Sequence, residues 1–308
     1  MAMKLQQLRT FIAVCQERSF TAAARRINAT QSGLSMQIKD LEDFLGVSLL
    51  IRNAGGVEPT SEGERFYQRA AAVLRDLNTA EEELRAINNE LIGSIAVGVM
   101  PTFSRAVLPQ VLNEFAETHP YVNIRIIEAY STVLTKSVIR GEIDFAIVPP
   151  EPVRNGIRVE KVASDREVLV TKTDTDRENL TPISLDSAGP LKLVLPSAGN
   201  SRRTSLDIYM STVGAQVEAI IELDGMMGTL DFVTHSEWVS IIPGALCYPD
   251  LSGTTRKIHP LTDPILSVDY VLIQPETKAL SPAARAFSEF LIKRIQTVCN
   301  DIQDLFPS

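Results

Sequence analysis

Residues 19–46, SFTAAARRINATQSGLSMQIKDLEDFLG, contain two short helical patterns separated by a break. The apolar residues of the second pattern follow one face of a 3.6-residue helix: Leu34, Ile38, Leu41 and Leu45. The opposite face carries Ser32, Ser35, Met36, Lys39 and Asp43, and its first turns are small or polar instead of acidic. Such a helix can enter a DNA major groove with its N-terminal end against the bases, where Gln31, Ser32 and Ser35 can reach their edges.

The first pattern predicts a shorter supporting helix. Ser19 is a good N-cap for a helix over residues 21–27, and residues 28–30 form the joint to the second helix. Together the two patterns indicate a helix-turn-helix. From pattern alone, a small helical hairpin with solvated charges explains the same residues about equally well.

Five linked motifs distinguish between these alternatives. They are LQQLRTF at 5–11, SFTAAA at 19–24, TQSGLSMQI at 30–38, LEDFLGVSLLIR at 41–52 and TSEG at 60–63. In this order and spacing they resemble the LysR-type transcriptional regulators, a more specific match than one short motif. The family's usual Gln-Pro-Ala-x-Ser-Arg-Gln-Ile is QSGLSMQI here, so Ser32 replaces a proline and Met36 replaces an arginine that often contacts DNA.

The resemblance implies a winged helix-turn-helix DNA-binding domain over residues 3–60, opened by a helix from about residue 4 to 18. Residues 47–51 alternate as a short strand before the turn at 52–56, which predicts the wing. The residues expected to contact DNA are Thr21, Thr30, Gln31, Ser32, Ser35, Met36, Lys39 and Arg52. Arg52 is placed for a phosphate contact, which fixes register; a solvated surface arginine is the open alternative.

A long helix is predicted over residues 61–92 as a linker. Its apolar or small residues alternate spacings of four and three: Phe66, Ala70, Val73, Leu77, Ala80, Leu84, Ile87 and Leu91. Such a seam either pairs with another helix or lies on its own domain. The family resemblance implies that it pairs with a second copy, giving a homodimer and, from two dimers, a homotetramer.

From residue 93 to 308 the pattern changes to alternating strands and helices, which predicts a parallel sheet flanked by helices. We expect two α/β subdomains joined by crossover segments, subdomain I at 94–163 plus 267–305 and subdomain II at 164–266. This arrangement resembles the periplasmic-binding-protein-like effector domain of the same family. The predicted fold class is therefore α/β, with a mainly helical N-terminal domain.

Three strand-to-helix junctions offer hydroxyl groups at helix starts, where a small anion can bind. By resemblance they converge on one cleft between the subdomains, and the expected effector contacts are Thr102, Phe103, Ser104, Ser131, Asn200, Ser201 and Arg202. For any single Ser or Thr, simple helix capping is the open alternative. Arg202 can pair with a carboxylate or lie at the surface as a solvated charge.

Charge and cysteine content restrict the class of protein. The net charge is −8, yet residues 1–60 carry seven basic and five acidic residues, a net +2 that leaves −10 for the remainder. This asymmetry suits a small DNA-facing domain on an acidic body. Three widely spaced cysteines, the absence of an 18-residue apolar run and the absence of a leader predict a cytoplasmic protein without a membrane partner.

No motif for catalysis or metal binding stands out. His119, His235 and His259 are isolated, and no nucleophile elbow, phosphate-binding glycine loop or Cys/His cluster occurs. We therefore expect no enzyme activity and no cofactor, but a transcriptional regulator that binds promoter DNA and a small anionic inducer, with RNA polymerase as a further partner. The alternative is a non-enzymatic binding protein of periplasmic-binding-protein type without a gene-control role.

Overall fold

The computed structural model describes residues 3–53, 56–86, 91–151, 156–276 and 279–305. Their contacts divide the chain into two compact units. The N-terminal unit comprises the described residues up to Gly93 together with Ile139–Glu142, and the C-terminal unit contains the rest. None of the helices in the described ranges is both long and apolar enough to cross a bilayer.

The N-terminal unit consists of α1 (Leu5–Glu17), α2 (Phe20–Arg26), α3 (Gln31–Leu45), β1 (Leu50–Asn53), β2 (Gly56–Pro59) and α4 (Ser61–Ala86). α2 and α3 start at side-chain caps, since Ser19 accepts the Ala22 N–H at 3.3 Å and Thr30 accepts the Gly33 N–H at 3.2 Å. β1 and β2 pair antiparallel as the wing. The predicted order of elements is therefore present.

The start of α4 explains the TSEG motif. Thr60 accepts the Gly63 N–H at 2.8 Å and donates its hydroxyl to the Ser48 carbonyl at 2.8 Å. A Cβ atom on Gly63 would lie 2.0 Å from the Leu49 carbonyl oxygen. Only glycine allows α4 to approach this backbone so closely.

Two details of the N-terminal unit differ from the sequence prediction. The expected strand alternation at 47–51 is wrong, because Val47 and Ile51 are exposed and β1 begins only at Leu50. Leu49 and Val57 are the buried residues of this region. The stripe of α4 that is available to a second helix is also shorter than predicted. Phe66 is not available, because it packs on Phe11 of its own unit with ring centroids 5.3 Å apart.

Ala70 of α4 is likewise buried, whereas Val73 is half exposed and Ala80 is exposed. The first three turns of α4 thus belong to the core of their own unit, and a surface free for another helix starts at Val73. The side chain of Leu84 and all of Ile87 lie outside the described residues. Leu91 is half-buried and follows the described helix.

The first part of the C-terminal unit contains β3 (Gly93–Val99), α5 (Pro101–Ala106), α6 (Leu108–Thr118), β4 (Val122–Glu128), α7 (Ser131–Ile139), β5 (Phe145–Val148) and β6 (Ile157–Thr171). There follow β7 (Leu191–Leu195), α8 (Ser201–Val213), β8 (Val217–Glu222), α9 (Met226–Thr234), β9 (Ser240–Pro243) and a 3-10 helix (Gly244–Asp250). The last elements are β10 (Lys257–Pro260), β11 (Ser267–Pro275) and α10 (Pro282–Leu305).

The main sheet is mixed instead of parallel. Its order is β10-β6-β11-β5-β3-β4, with β9 also paired to β6, while β7 and β8 form a separate parallel pair. β3 and β5 are parallel, but β6 pairs antiparallel with β9, β10 and β11. The cause is the path of the chain: β6 leaves subdomain I and β11 returns to it, so the two crossing strands run in opposite directions side by side.

Each subdomain has its own buried core. In subdomain I, Phe103, Phe115 and Phe287 are among the buried residues of one cluster, and a separate cluster within residues 169–261 lies in subdomain II. The subdomains are also joined by a polar contact: Arg105 of α5 binds both carboxylate oxygens of Asp250 at 2.7 and 2.9 Å. Asp250 also accepts from Arg256 at 2.7 Å, so one buried carboxylate holds two guanidinium groups. This contact fixes α5 against the 3-10 helix.

Candidate functional site

The outer face of α3 has the orientation that the sequence predicted. Leu34 and Ile38 are buried in the core of the N-terminal unit, which confirms the inward face. Gln31 and Ser32 are exposed and Ser35 is partly exposed. The first two turns of the helix therefore present amide and hydroxyl groups to the outside.

Arg52 of the wing lies next to this face. Its guanidinium is 4.5 Å from the centroid of the Phe20 ring, a cation–π contact, and its Nη2 is 3.5 Å from the Ser35 Oγ. Phe20 is buried and begins α2. The wing, α2 and α3 thus meet around one exposed arginine, which these contacts hold in place.

The remaining predicted DNA contacts have different surroundings. Thr21, Lys39 and Met36 are exposed. Thr30 is exposed too, but its hydroxyl caps α3 through the Gly33 N–H. Its structural role at the N-terminus of α3 is therefore clear, and a DNA contact would use the hydroxyl in addition.

A cavity of about 520 Å³ opens between the two subdomains of the C-terminal unit. Four of the predicted effector contacts line it: Ser131, Asn200, Ser201 and Arg202. Its apolar wall includes Leu195, Leu206 and Val268. The volume lies within the usual range for a small-molecule site, about 300–1,000 Å³.

The first predicted junction does not reach the cavity with its side chains. Thr102 is fully buried with Oγ1 3.7 Å from the Met226 Sδ, and Phe103 packs edge-on against Tyr270 at 4.6 Å. Ser104 is half-buried on the same helix and is not part of the wall. α5 begins directly after β3, so it carries these residues inward, and Met100 lines the cavity in their place.

Arg202 already has a carboxylate partner inside the protein. Its Nε and Nη2 donate to Glu167 at 3.1 and 2.6 Å, and Nη2 also donates to the Ile241 carbonyl at 2.5 Å. Both side chains are largely buried. This bidentate pair anchors α8 on β6, and it occupies the Nε and Nη2 atoms with which the guanidinium could otherwise bind a ligand carboxylate in bidentate fashion.

Two helices present their first turns to the cavity. Ser131 is the first residue of α7 and Ser201 the first of α8, and both line the wall. Asn200 caps α8 by accepting the Arg202 N–H at 3.0 Å. The first amide groups of a helix have no intrahelical acceptor and carry partial positive charge, so these ends favour an anion.

The third helix end at the cavity is occupied by a tyrosine. The Tyr130 hydroxyl accepts the Met226 N–H of α9 at 3.3 Å and donates to the Asp224 carbonyl. Tyr130 belongs to subdomain I, whereas Asp224 and Met226 belong to subdomain II. The tyrosine therefore connects the subdomains at the cavity wall.

Tyr130, Glu167 and Asp224 were not among the predicted site residues. Tyr130 directly precedes Ser131 in a junction that the sequence indicated, so its position gave a signal. Glu167 and Asp224 gave none, because their partners Arg202 and Ser197 lie 35 and 27 residues away along the chain. In the described ranges, no group of three or more His, Cys, Asp or Glu side chains is arranged to hold a metal ion.

Comparison with known proteins identifies the family. The family model for the "LysR substrate binding domain" matches residues 88–296, and that for the "bacterial regulatory helix-turn-helix protein, lysR family" matches residues 5–64. The chain belongs to the LysR family. This confirms both the resemblance and the predicted fold class, a helix-turn-helix domain followed by an α/β effector domain.

Individual relatives of this LysR-type regulator match along nearly the whole chain. The uncharacterised HTH-type transcriptional regulator YfeR of Shigella flexneri is 27% identical over 283 residues, covering 92% of this chain and 91% of that protein. A full-length OxyR variant from Pseudomonas aeruginosa has the same fold with a TM-score of 0.76 at 22% identity, covering 97% of both chains. Full-length CbnR complexed with its target DNA gives 0.63 at 20% identity, covering 95% of this chain and 100% of that one.

As a LysR-type transcriptional regulator, the protein combines DNA binding in its helix-turn-helix domain with a domain for a small-molecule effector. The cavity between subdomains I and II lies in the segment that matches the substrate-binding model. The outer face of α3 lies in the segment that matches the helix-turn-helix model.

Proposed function

We propose that this regulator contacts promoter DNA through α3 and the wing, and that a small monocarboxylic acid in the inter-subdomain cavity modulates this contact. The observation that supports this class of effector is the Arg202–Glu167 pair. Because Arg202 is already paired, we expect the ligand anion to bind at the N-terminal ends of two helices instead of at this guanidinium. The CbnR–DNA complex supports the DNA-binding part of the proposal through its similar fold.

The groups around the cavity favour one negative charge. The first turns of α7 and α8 supply amide N–H groups, and Ser131 and Ser201 supply hydroxyl donors. Asp224 also lines the wall and would repel a second carboxylate, whereas Asp269 on the same wall is paired with Lys161 at 3.1 Å. The apolar wall suits a hydrocarbon body attached to the acid.

The exposed part of the α4 stripe, which starts at Val73, supports pairing of two linker helices in a homodimer, and two dimers would form a tetramer that reads separated half-sites. The effector would shift the populations of assemblies that bend DNA differently, provided that it binds one of them more tightly. RNA polymerase is a proposed further partner. Because promoter DNA lies in the bacterial cytoplasm, we propose that the regulator acts there.

The effector class can be tested by thermal unfolding of the full-length chain with matched ligands of one carbon skeleton. A monocarboxylate should raise the unfolding temperature more than its amide or the corresponding dicarboxylate, and a Ser131→Ala/Ser201→Ala double variant should lose this effect. Ser211→Ala, at an exposed position in the last turn of α8, is the control. Stronger stabilisation by the dicarboxylates would contradict the proposal.

DNA binding can be tested separately by gel shift with DNA from upstream of the gene. Retention should fall steeply with salt, because phosphate contacts release bound cations. Absence of retention at low salt on every upstream duplex would count against the regulator function.

A further inference from the structure

Met36 is the exposed apolar side chain of the face that α3 turns outward. It is 63% exposed in the second turn of α3, while Leu34 and Ile38 on either side of it in sequence are buried. Its neighbour one turn earlier is the exposed Ser32. A thioether makes only weak hydrogen bonds, so this position offers a flexible apolar surface among polar donors.

The charges along α3 indicate which part of the helix approaches DNA. Residues 31–38 carry no charged side chain, whereas Lys39, Asp40 and Asp43 follow and are exposed. If the C-terminal half of α3 lay in the groove, the DNA phosphates would repel the two aspartates. The two N-terminal turns of α3 are therefore the part that we expect to enter the major groove. Met36 lies in the second of these turns.

The wing places a basic group beside the same segment. Arg52 rests on the Phe20 ring and reaches within 3.5 Å of Ser35, one residue before Met36. An arginine held there can bind a backbone phosphate next to the groove. With the phosphate contact on one side, the exposed Met36 side chain would project toward the bases.

We propose that Met36 packs against the C5 methyl group of a thymine in each operator half-site. In the major groove thymine alone among the four bases presents a methyl group, and apolar side chains recognise it by contact. This inference rests on the proposed DNA contact through α3. It assigns to Met36 the selection of thymine at one position per half-site.

The test uses a duplex selected by the full-length chain from a library with a randomised core. In the selected duplex each thymine is replaced in turn by deoxyuridine, which removes only the C5 methyl. We expect about fourfold weaker binding at one thymine per half-site, the fold-change that ~0.8 kcal/mol for one buried methyl group gives, and about fifteenfold when both half-sites are changed.

Variants assign this effect to Met36. In Met36→Ala the loss on deoxyuridine substitution should disappear at that thymine, and in Met36→Leu it should largely persist. Phe44→Ala, which changes another exposed apolar residue in the last turn of α3, should keep the full wild-type loss.

Two results would overturn the inference while leaving the DNA-binding function intact. One is tight, salt-sensitive binding of the selected duplex with no deoxyuridine effect at any thymine. The other is a deoxyuridine effect that Met36→Ala retains at every position. If no sequence is enriched from the library, both this inference and the proposed DNA contact through α3 are overturned.

Discussion

Ser35 is the residue at which the outer face of α3 meets the wing. It is partly exposed, and Arg52 reaches toward its hydroxyl. Ser35→Glu would place a carboxylate against the phosphates and beside Arg52. Specific DNA binding should weaken by about 100-fold or more, since one base contact is worth about 1–3 kcal/mol and repulsion adds to its loss.

The same substitution should leave the fold nearly unchanged, within about 0.5 kcal/mol, because Ser35 is not part of the core. Gel shifts and thermal unfolding measure the two effects, and Ser35→Ala is the matched control without the added charge. Unfolding of the N-terminal unit by Ser35→Glu would show that the assigned orientation of α3 is wrong.

Asp165 is a buried carboxyl group on the strand that connects the subdomains. Burial raises its pKa from an ordinary value of 3.8 to about 7, with Glu167 adding to the rise, although the Ala245 N–H donates to it at 2.9 Å. The folded protein therefore binds this proton more tightly than the unfolded chain. The stability that the proton supplies is complete below about pH 4 and is lost as the pH rises to about 7.

Asp165→Asn removes this titration at nearly constant size. Between pH 5 and pH 8 the free energy of unfolding of the wild type should fall relative to that of the variant by at most about 2.7 kcal/mol, because only the two pH units below a pKa of about 7 contribute. Urea unfolding at both pH values measures the difference. If the free energy of unfolding changed with pH in the same way for both proteins, Asp165 would be excluded as the source of the pH dependence.

At the scale of elements, α4 has two parts with different partners. Phe66 and Ala70 pack in their own unit, whereas Val73 is half exposed and follows on the same stripe. Val73→Asp would bury two carboxylates in the proposed dimer seam, so the dissociation constant of the dimer should rise by about 100-fold or more. Light scattering over a concentration series measures this change.

The control for the seam is Gln68→Asp, which adds the same charge at an exposed position of α4 away from the stripe. It should leave the association unchanged. If Val73→Asp stays as associated as Gln68→Asp, the linker helix does not pair along this stripe.

Local patterns predicted the elements well where the determinants are close in sequence. The orientation of α3 followed from Leu34 and Ile38, and the caps at Ser19 and Thr30 marked the helix starts. The mixed sheet could not be predicted in this way, because the pairing of β6 with β11 joins Ile157 to Pro275.

The candidate cavity was predicted only in part for the same reason. Ser131, Asn200 and Ser201 line it as expected. Phe103 could not be placed, because its burial depends on how α5 turns after β3, and the partner of Arg202 depends on the packing of α8 on β6. Contacts between distant segments decide both.

At the scale of the whole C-terminal unit, several polar contacts join the subdomains, and two of them differ in their position relative to the cavity. Arg105 binds the buried Asp250, an ion pair away from the cavity wall, and Tyr130 bridges to Asp224 and Met226 at the wall itself. A ligand in the cavity would lie beside the Tyr130 contact and not beside the Arg105 contact. We therefore expect Tyr130 to couple ligand binding to the relative position of the subdomains.

Tyr130→Phe removes the hydroxyl that accepts the Met226 N–H and donates to Asp224, while the ring remains. Two hydrogen bonds of about 1 kcal/mol each are lost, so the subdomain arrangement that these bonds stabilise should be less populated and the effector should bind about tenfold or more weakly. Calorimetric titration of the full-length chain with the stabilising monocarboxylate measures this affinity. Tyr121→Phe, at an exposed tyrosine, is the control. Unchanged effector affinity in Tyr130→Phe would show that this hydroxyl does not couple the cavity to the subdomain arrangement.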